Sequence, residues 1–249
     1  MAPLDLQAAL DNPLWASLTT LHAGFARNAR GVAHAASGVA HTGAGVARYP
    51  ADVAPFLAVE RDGARVDAAL AELVPAGDTV LCVGPRPAVP AGAGWRLEDF
   101  GVILQMVAEH VAPPEATGGE TGDVVELGPE RRADVLALAA LVYPHYFRSR
   151  TPEMGRYVGI DRDGVLAAMA GERMGWPGAR EISAVCTRPE HVGRGLARRL
   201  MAHLVDDLAR SGAQAFLHVS PANARARQLY EGTGWRVRRE MAFCALHRA

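Results

Sequence analysis

From Leu196 to Arg210 the residues Leu196, Leu200, Leu204 and Leu208 return at every fourth position, flanked by Ala197, Met201 and Val205. Arg198, Arg199, Asp206 and Arg210 fall on the other side, the pattern of an amphipathic helix lying on a sheet. Just upstream, Glu181 to Thr187 (EISAVCT) is a short apolar run with β-branched residues, the signature of a buried strand. The run Arg188 to Gly195 joins them, so a strand enters a glycine-bearing loop and leaves it as a helix.

The same reading predicts helix over Pro3 to Arg27, interrupted at Asp11-Asn12-Pro13 because proline suits a first helical turn. Strands follow at Val53 to Glu60, Thr79 to Val83 and Val102 to Val107, with a short helix at Arg65 to Leu73. Residues 110 to 123, HVAPPEATGGETGD, are rich in proline, glycine and acid and mark a domain boundary. The expected division is 1–112, a linker at 113–123, and 124–249. The second part opens with a strand at Val124 to Leu127 and a helix from Arg131 to Val142. Strands Arg156 to Ile160 and Val165 to Glu172 meet at Asp163-Gly164, a hairpin signal. After the long helix come a strand at Ala215 to Val219, a helix at Asn223 to Glu231 and strand segments from Trp235 to Leu246.

The halves echo each other. TVLCVGP (Thr79 to Pro85) resembles AFLHVSP (Ala215 to Pro221), and Gly92-Ala93-Gly94-Trp95-Arg96 repeats as Gly232-Thr233-Gly234-Trp235-Arg236. Two related α/β units are expected, of which only the second keeps the glycine loop. A separate segment, GVAHAAS GVAHTGA GVARYPA, repeats every seven residues, and its glycines argue for a loop. His34 and His41 lie there without a Cys, Asp or Glu to complete a coordination shell, so no metal site is expected.

Composition narrows the function classes. A net charge of −1 gives no electrostatic case for nucleic acid or an anionic membrane. No apolar stretch is long enough to span a bilayer, and the N-terminus lacks a signal-peptide pattern. Cys82, Cys186 and Cys244 show no pair spacing or metal pattern and read as reduced core residues, an expectation of a cytoplasmic protein. Monomer and homodimer are both open.

A glycine-bearing turn at a helix N-terminus is a device for holding phosphate, because free N–H groups converge there and the helix dipole favours an anion. A Walker loop is excluded, since the chain contains no lysine. A dinucleotide fingerprint fails because Arg198 stands where its third glycine belongs. What stands here is Val192-Gly193-Arg194-Gly195-Leu196-Ala197.

That loop, within AVCTRPEHVGRGLARRL, together with SPANARARQLYEGTGW, resembles the two cofactor elements of the GNAT N-acetyltransferase superfamily. Within it, EISAVCTRPEHVGRGLARRL is similar to the glycine N-acyltransferase-like branch. The resemblance implies an α/β fold, a mixed sheet flanked by helices, in two tandem units with the N-terminal one degenerate. It implies acetyl-CoA as co-substrate and direct attack by the primary amine of a small molecule or amino acid. A non-catalytic acyl-CoA-binding module and an enzyme acting on a protein amine stay open. Val192 departs from the Gln or Arg usual at its position.

The implied cofactor contacts are Val185, Cys186, Thr187, Val192, Gly193, Arg194, Gly195, Leu196, Ala197, Asn223 and Tyr230. An alkylammonium of pKa near ~10 must lose a proton before attack, and Glu181, acting through a water, then Glu172, are the expected bases. A backbone N–H near Val185 or Cys186 would face the thioester oxygen, and Tyr230 would protonate the leaving sulfur. Arg148 or Arg150, in the loop from Tyr143 to Met154, would hold an acceptor carboxylate; a surface-charge reading stands beside this. Cys186 as a nucleophile is disfavoured, because no His–acid pair flanks it.

Overall fold

The computed structural model describes residues 5–28, 45–89, 94–109, 124–143 and 145–249. The linker at 113–123 and the first two copies of the seven-residue repeat, with His34 and His41, lie outside these residues. In the third copy, Gly45 to Ala51, Val46–Arg48 is a buried strand rather than the expected loop, its apolar residues being paired into a sheet. Two compact units emerge: Met1–Ile103, Gly175–Pro177 and Glu240–Ala249 form one, Leu104–Met174 and Gly178–Arg239 the other. The C-terminal ten residues thus group with the N-terminal segment, and residues 104 to 109 of the first half with the second.

In the first unit α1 (Leu6–Asp11) and α2 (Pro13–Leu18) are separated at Asn12, whose side chain accepts from the Trp15 N–H at 3.4 Å. The helix expected to reach Arg27 stops at Leu18. Thr19 and Thr20 donate their hydroxyls to Trp15 O and Ala16 O at 2.7 and 2.6 Å, competing for the carbonyls that would continue it. Strands β1 (Arg27–Asn28), β2 (Val46–Arg48) and β3 (Leu57–Val59) form an antiparallel sheet, followed by α3 (Asp67–Leu73). Strand β4 (Thr79–Val83) falls as expected and pairs antiparallel with residues 243–247 of β11 (Trp235–Arg248). Cys82 and Cys244 face each other in that register, a pairing their sequence separation concealed; both are free thiols. Leu57, Leu70, Val80 and Leu246 pack in this unit's core.

The second unit is built on a mixed sheet. Its strands are the part of β5 (Trp95–Ala108) from Leu104 on, β6 (Val125–Glu126), β7 (Tyr157–Arg162), β8 (Val165–Trp176) as far as Met174, β9 (Ala179–Thr187), β10 (Gln214–Val219) and the start of β11, and the order runs β11-β5-β10-β9-β8-β7-β6. Strand β5 runs antiparallel beside β10, with Phe216 opposite Val107 and Val219 opposite Leu104. The sheet is therefore not completed by residues after 124 alone. Turn Asp163–Gly164 has both φ angles positive, at 52° and 79°, as a two-residue hairpin requires. Helices α4 (Arg132–Val142), α5 (Leu196–Arg210) and α6 (Ala224–Glu231) flank the sheet, and α5 buries Leu196, Leu200, Leu204 and Leu208 as its period demands.

The internal echo has a geometric counterpart. Gly94 and Gly234 precede Trp95 and Trp235 with φ of 102° and 88°. The Gly94 carbonyl accepts from Ala249 N at 2.6 Å, and the Gly234 carbonyl from Glu109 N at 3.1 Å. The same offset that aligns the two Gly-x-Gly-Trp-Arg motifs maps one bond onto the other.

Two features of β9 prepare the site. Its parallel register with β10 runs from Ala179↔Gln214 to Glu181↔Phe216, although both strands continue, so they part beyond Glu181. Ala184 has φ of 52°, rare for a residue with a Cβ. In consequence Ile182 and Val185 both pack with α5, whereas Ala184 and Cys186 pack with α4 on the opposite face. Regular alternation would have put residues 182, 184 and 186 together.

Candidate functional site

A cleft of about 430 Å³ lies in the second unit where the end of β9, the glycine loop, the first turn of α5 and helix α6 converge. Val185 and Thr187 come from β9, and Val192, Gly193, Gly195, Leu196 and Ala197 from the loop and helix start. Asn223 and Tyr230 close the other side from α6. These nine are the expected cofactor contacts apart from Cys186 and Arg194. The Cys186 side chain turns into the core beneath, where burial pushes its thiol up to about 12 and leaves no nucleophile.

Gly193 and Gly195 have φ of 86° and 77°. No atom lies within 4 Å of where a Cβ would project from either, so backbone conformation demands glycine there and the space beside the loop is open. Gly195 is the N-cap of α5, and no side chain caps the helix. Its first-turn N–H groups lack intrahelical partners by geometry, so they are available to an anion. Val192 is one-third exposed and offers no polar side chain, so main-chain groups are its only polar atoms. Gly195→Val is expected to cost about 1–2 kcal/mol of stability from the left-handed backbone. Urea unfolding reads that loss.

The cleft also holds residues the sequence did not point to. His191 is buried at 5% exposure, and its Nδ1 has no hydrogen-bond partner among the described residues. Arg198 and Arg225 add positive charge to the lining. A histidine inside Pro-Glu-His-Val and arginines scattered along helices give no sequence signal, because only the turn of the loop brings them together.

Asn223 is the N-cap of α6, accepting from Ala226 N at 3.1 Å as its residue type suggests. Tyr230 lies on that helix against Trp235, with ring centroids 6.2 Å apart. Burial, and beyond it Cys186, pushes its hydroxyl up to about 12, so it stays protonated at any ordinary pH. Arg150 is paired with Glu153 at 2.7 Å, and Arg148 donates to the His145 carbonyl at 3.1 Å.

Glu181 and Glu172, the two expected bases, do not line the cleft. Glu181 is fully buried with both oxygens engaged: Oε1 accepts from Arg173 Nη2 at 2.7 Å and His218 Nδ1 at 2.8 Å, and Oε2 from Arg173 Nε at 2.8 Å. Burial alone would raise its pKa; the Arg173 charge and hydrogen bonds, with those of His218, outweigh this and hold it near 2. A carboxylate so held is ionised and shielded from solvent. Glu172 is raised by burial, with Arg180 and Arg156 pulling the other way. Those neighbours and Asp207 place it beside the far end of α5, roughly 16 Å along the helix from Leu196 at ~1.5 Å per residue.

The depressed Glu181 pKa has a pH consequence. Its stabilising share is complete above the unfolded-state value of ~4.3 and is lost as pH falls toward 2, on the order of 3 kcal/mol. Urea unfolding at pH 7 and pH 3 should show this acid limb, and Glu181→Gln, which cannot titrate, should flatten it.

Residues 157–244 match the family model described as FR47-like protein. A crystal structure of a GNAT-family protein from Novosphingobium aromaticivorans, assigned as an acetyltransferase, is 33% identical, covers 96% of this chain and 98% of its own, and superposes with a TM-score of 0.76. A GCN5-related N-acetyltransferase from Kribbella flavida is 22% identical over 68% of this chain and 67% of its own, with a TM-score of 0.46. The ribosomal-protein-S18-alanine N-acetyltransferase of Escherichia coli is 20% identical over 52% of this chain and 95% of its own, at 0.43. No curated protein matches. Among the described residues no helix is long and apolar enough to cross a membrane. With a third of its residues shared along nearly the whole of both chains by the Novosphingobium protein, the chain belongs to the GNAT family of acetyltransferases.

Proposed function

We propose that the protein transfers the acetyl group of acetyl-CoA to the primary amine of a small molecule or amino acid by direct attack. The observation that carries this is the meeting, in one cleft, of the glycine loop at the α5 N-terminus, the parted edge of β9 and the Tyr230 side chain. The donor fits this cleft: open space flanks the left-handed glycines, and Arg198 and Arg225 suit its phosphates. Bound there, acetyl-CoA would supply the activated acyl group. The first-turn N–H groups of α5 would hold its diphosphate, and the β9 edge its pantetheine arm, as an added strand holds to a sheet edge.

The N–H of Val185 or Cys186 would donate to the thioester oxygen as charge builds there. Tyr230, kept protonated by burial, would donate to the departing sulfur. Since neither glutamate lines the cleft, this reading sends the acceptor proton to water. The enzyme then works on the free-amine fraction, roughly one part in a thousand at pH 7 for a pKa near ~10.

This reading predicts that log kcat/KM for the amine climbs with unit slope as pH rises toward the amine's own pKa, read from initial rates of thiol release. A plateau starting near pH 6–7 would instead indicate a dedicated base in the protein. An amine panel with acetyl-CoA tests the reaction itself. Tight acetyl-CoA binding with no thiol released from any amine would favour a binding module.

A further inference from the structure

The Glu181 carboxylate sits at the point where two strands part. Glu181↔Phe216 is the last pair in the β9–β10 register, and past it no backbone ladder fixes their separation. Side chains must do so. The carboxylate ties β9 to β8 through Arg173 and to β10 through His218, two residues beyond that last pair. Met174 N adds a contact to Oε2 at 3.3 Å.

The arrangement continues across the sheet. An ionised carboxylate only accepts, so His218 Nδ1 carries the proton it shares with Glu181. His218 Nε2 then faces the Gln105 amide nitrogen at 3.4 Å, and Gln105 Oε1 accepts from Arg238 Nη1 at 2.9 Å. Arg173, Glu181, His218, Gln105 and Arg238 thus link the neighbouring strands β8, β9, β10, β5 and β11 in an unbroken polar row. The side chains of Arg173, Glu181 and His218 are 17%, 1% and 1% exposed. Apolar side chains at these positions would satisfy the core without fixing a distance, and the strands could close toward the ladder spacing of ~4.8 Å.

The geometry points to Arg173, Glu181 and His218 as positioning residues for acyl transfer: a strut that sets the opening of the β9–β10 fork. The inference rests on the acetyl-CoA reading of the cleft. Val185 lies four residues beyond Glu181, roughly 13 Å along the strand. A change of ~5° in the fork angle would move its N–H by about 1 Å, a displacement that can cost ~100-fold in rate.

The test compares His218→Phe, His218→Asn and the triple variant R173M/E181L/H218F with the wild type. Acetyl-CoA affinity is read by calorimetry, kcat/KM by thiol release and folding by thermal melting. Asn can place its amide N–H where Nδ1 stood, so His218→Asn should keep acetyl-CoA affinity within about twofold, while His218→Phe loses about tenfold. The triple variant removes charge and partner together and should melt near the wild type, yet lose at least about tenfold in kcat/KM. Wild-type kcat/KM in a folded triple variant, or His218→Asn and His218→Phe behaving alike, would overturn the strut. Should the triple variant not fold, the two His218 substitutions decide by the same criterion. A wild type that does not bind acetyl-CoA would overturn both readings, whereas binding with indifferent variants overturns the strut alone.

Discussion

Tyr230→Phe is expected to lower kcat about 10²-fold while leaving KM for acetyl-CoA within about twofold. The substitution keeps the ring against Trp235 and removes only the hydroxyl, so melting should hardly move. A thiolate with a free pKa of ~8.5 is already a tolerable leaving group, which is why the expected loss is at the low end for proton transfer. Because burial holds the hydroxyl near 12, the wild-type profile should show no falling limb from this group below about pH 11. Thiol release followed under saturating acetyl-CoA checks the point, and an unchanged kcat would return Tyr230 to a packing role.

Leu200→Ala is expected to have the largest effect on stability, a loss of about 2–5 kcal/mol. Leu200 is fully buried among Leu204, Ile182 and Leu217, where α5 lies on the sheet, and the void left behind cannot fill from solvent. Against a total of about 5–15 kcal/mol for a typical protein this is a large share. The same helix presents the N–H groups of the glycine loop, so the acetyl-CoA reading proposed above couples stability to donor binding. Saturating acetyl-CoA should restore part of the lost stability by mass action, roughly 2.7 kcal/mol at a hundred times Kd. Urea unfolding with and without acetyl-CoA measures both quantities, and a loss below 1 kcal/mol would mean that the contact between α5 and the sheet is not close-packed.

Helix α5, the glycine loop and the Asp163–Gly164 hairpin were legible because each is a local statement. A four-residue apolar period, a glycine where φ must be positive and an Asp-Gly between two apolar runs depend on neighbours within a few positions. The same holds for Asn223, whose capping role follows from residue type and place. The surroundings of the glutamates were hidden for the opposite reason. Strand-end position does not say whether a carboxylate meets water or an arginine eight residues upstream, and Glu181 meets Arg173. His191 and Arg225 carried no signal, since nothing in their own surroundings marks the wall of a cleft.

Sequence by itself determined the helix that lies on the sheet, the loop whose glycines need left-handed backbone, and the helix bearing Asn223 and Tyr230, because short-range sterics and periodicity fix such features. Tertiary structure alone decided that β5 stands beside β10, that Cys82 faces Cys244, and that Glu181 is a tied internal anion. Strand neighbours and buried charge pairs are set by which distant segments share one sheet. That is a competition among many pairings of similar local quality, and only packing and the cost of an unpaired buried charge resolve it.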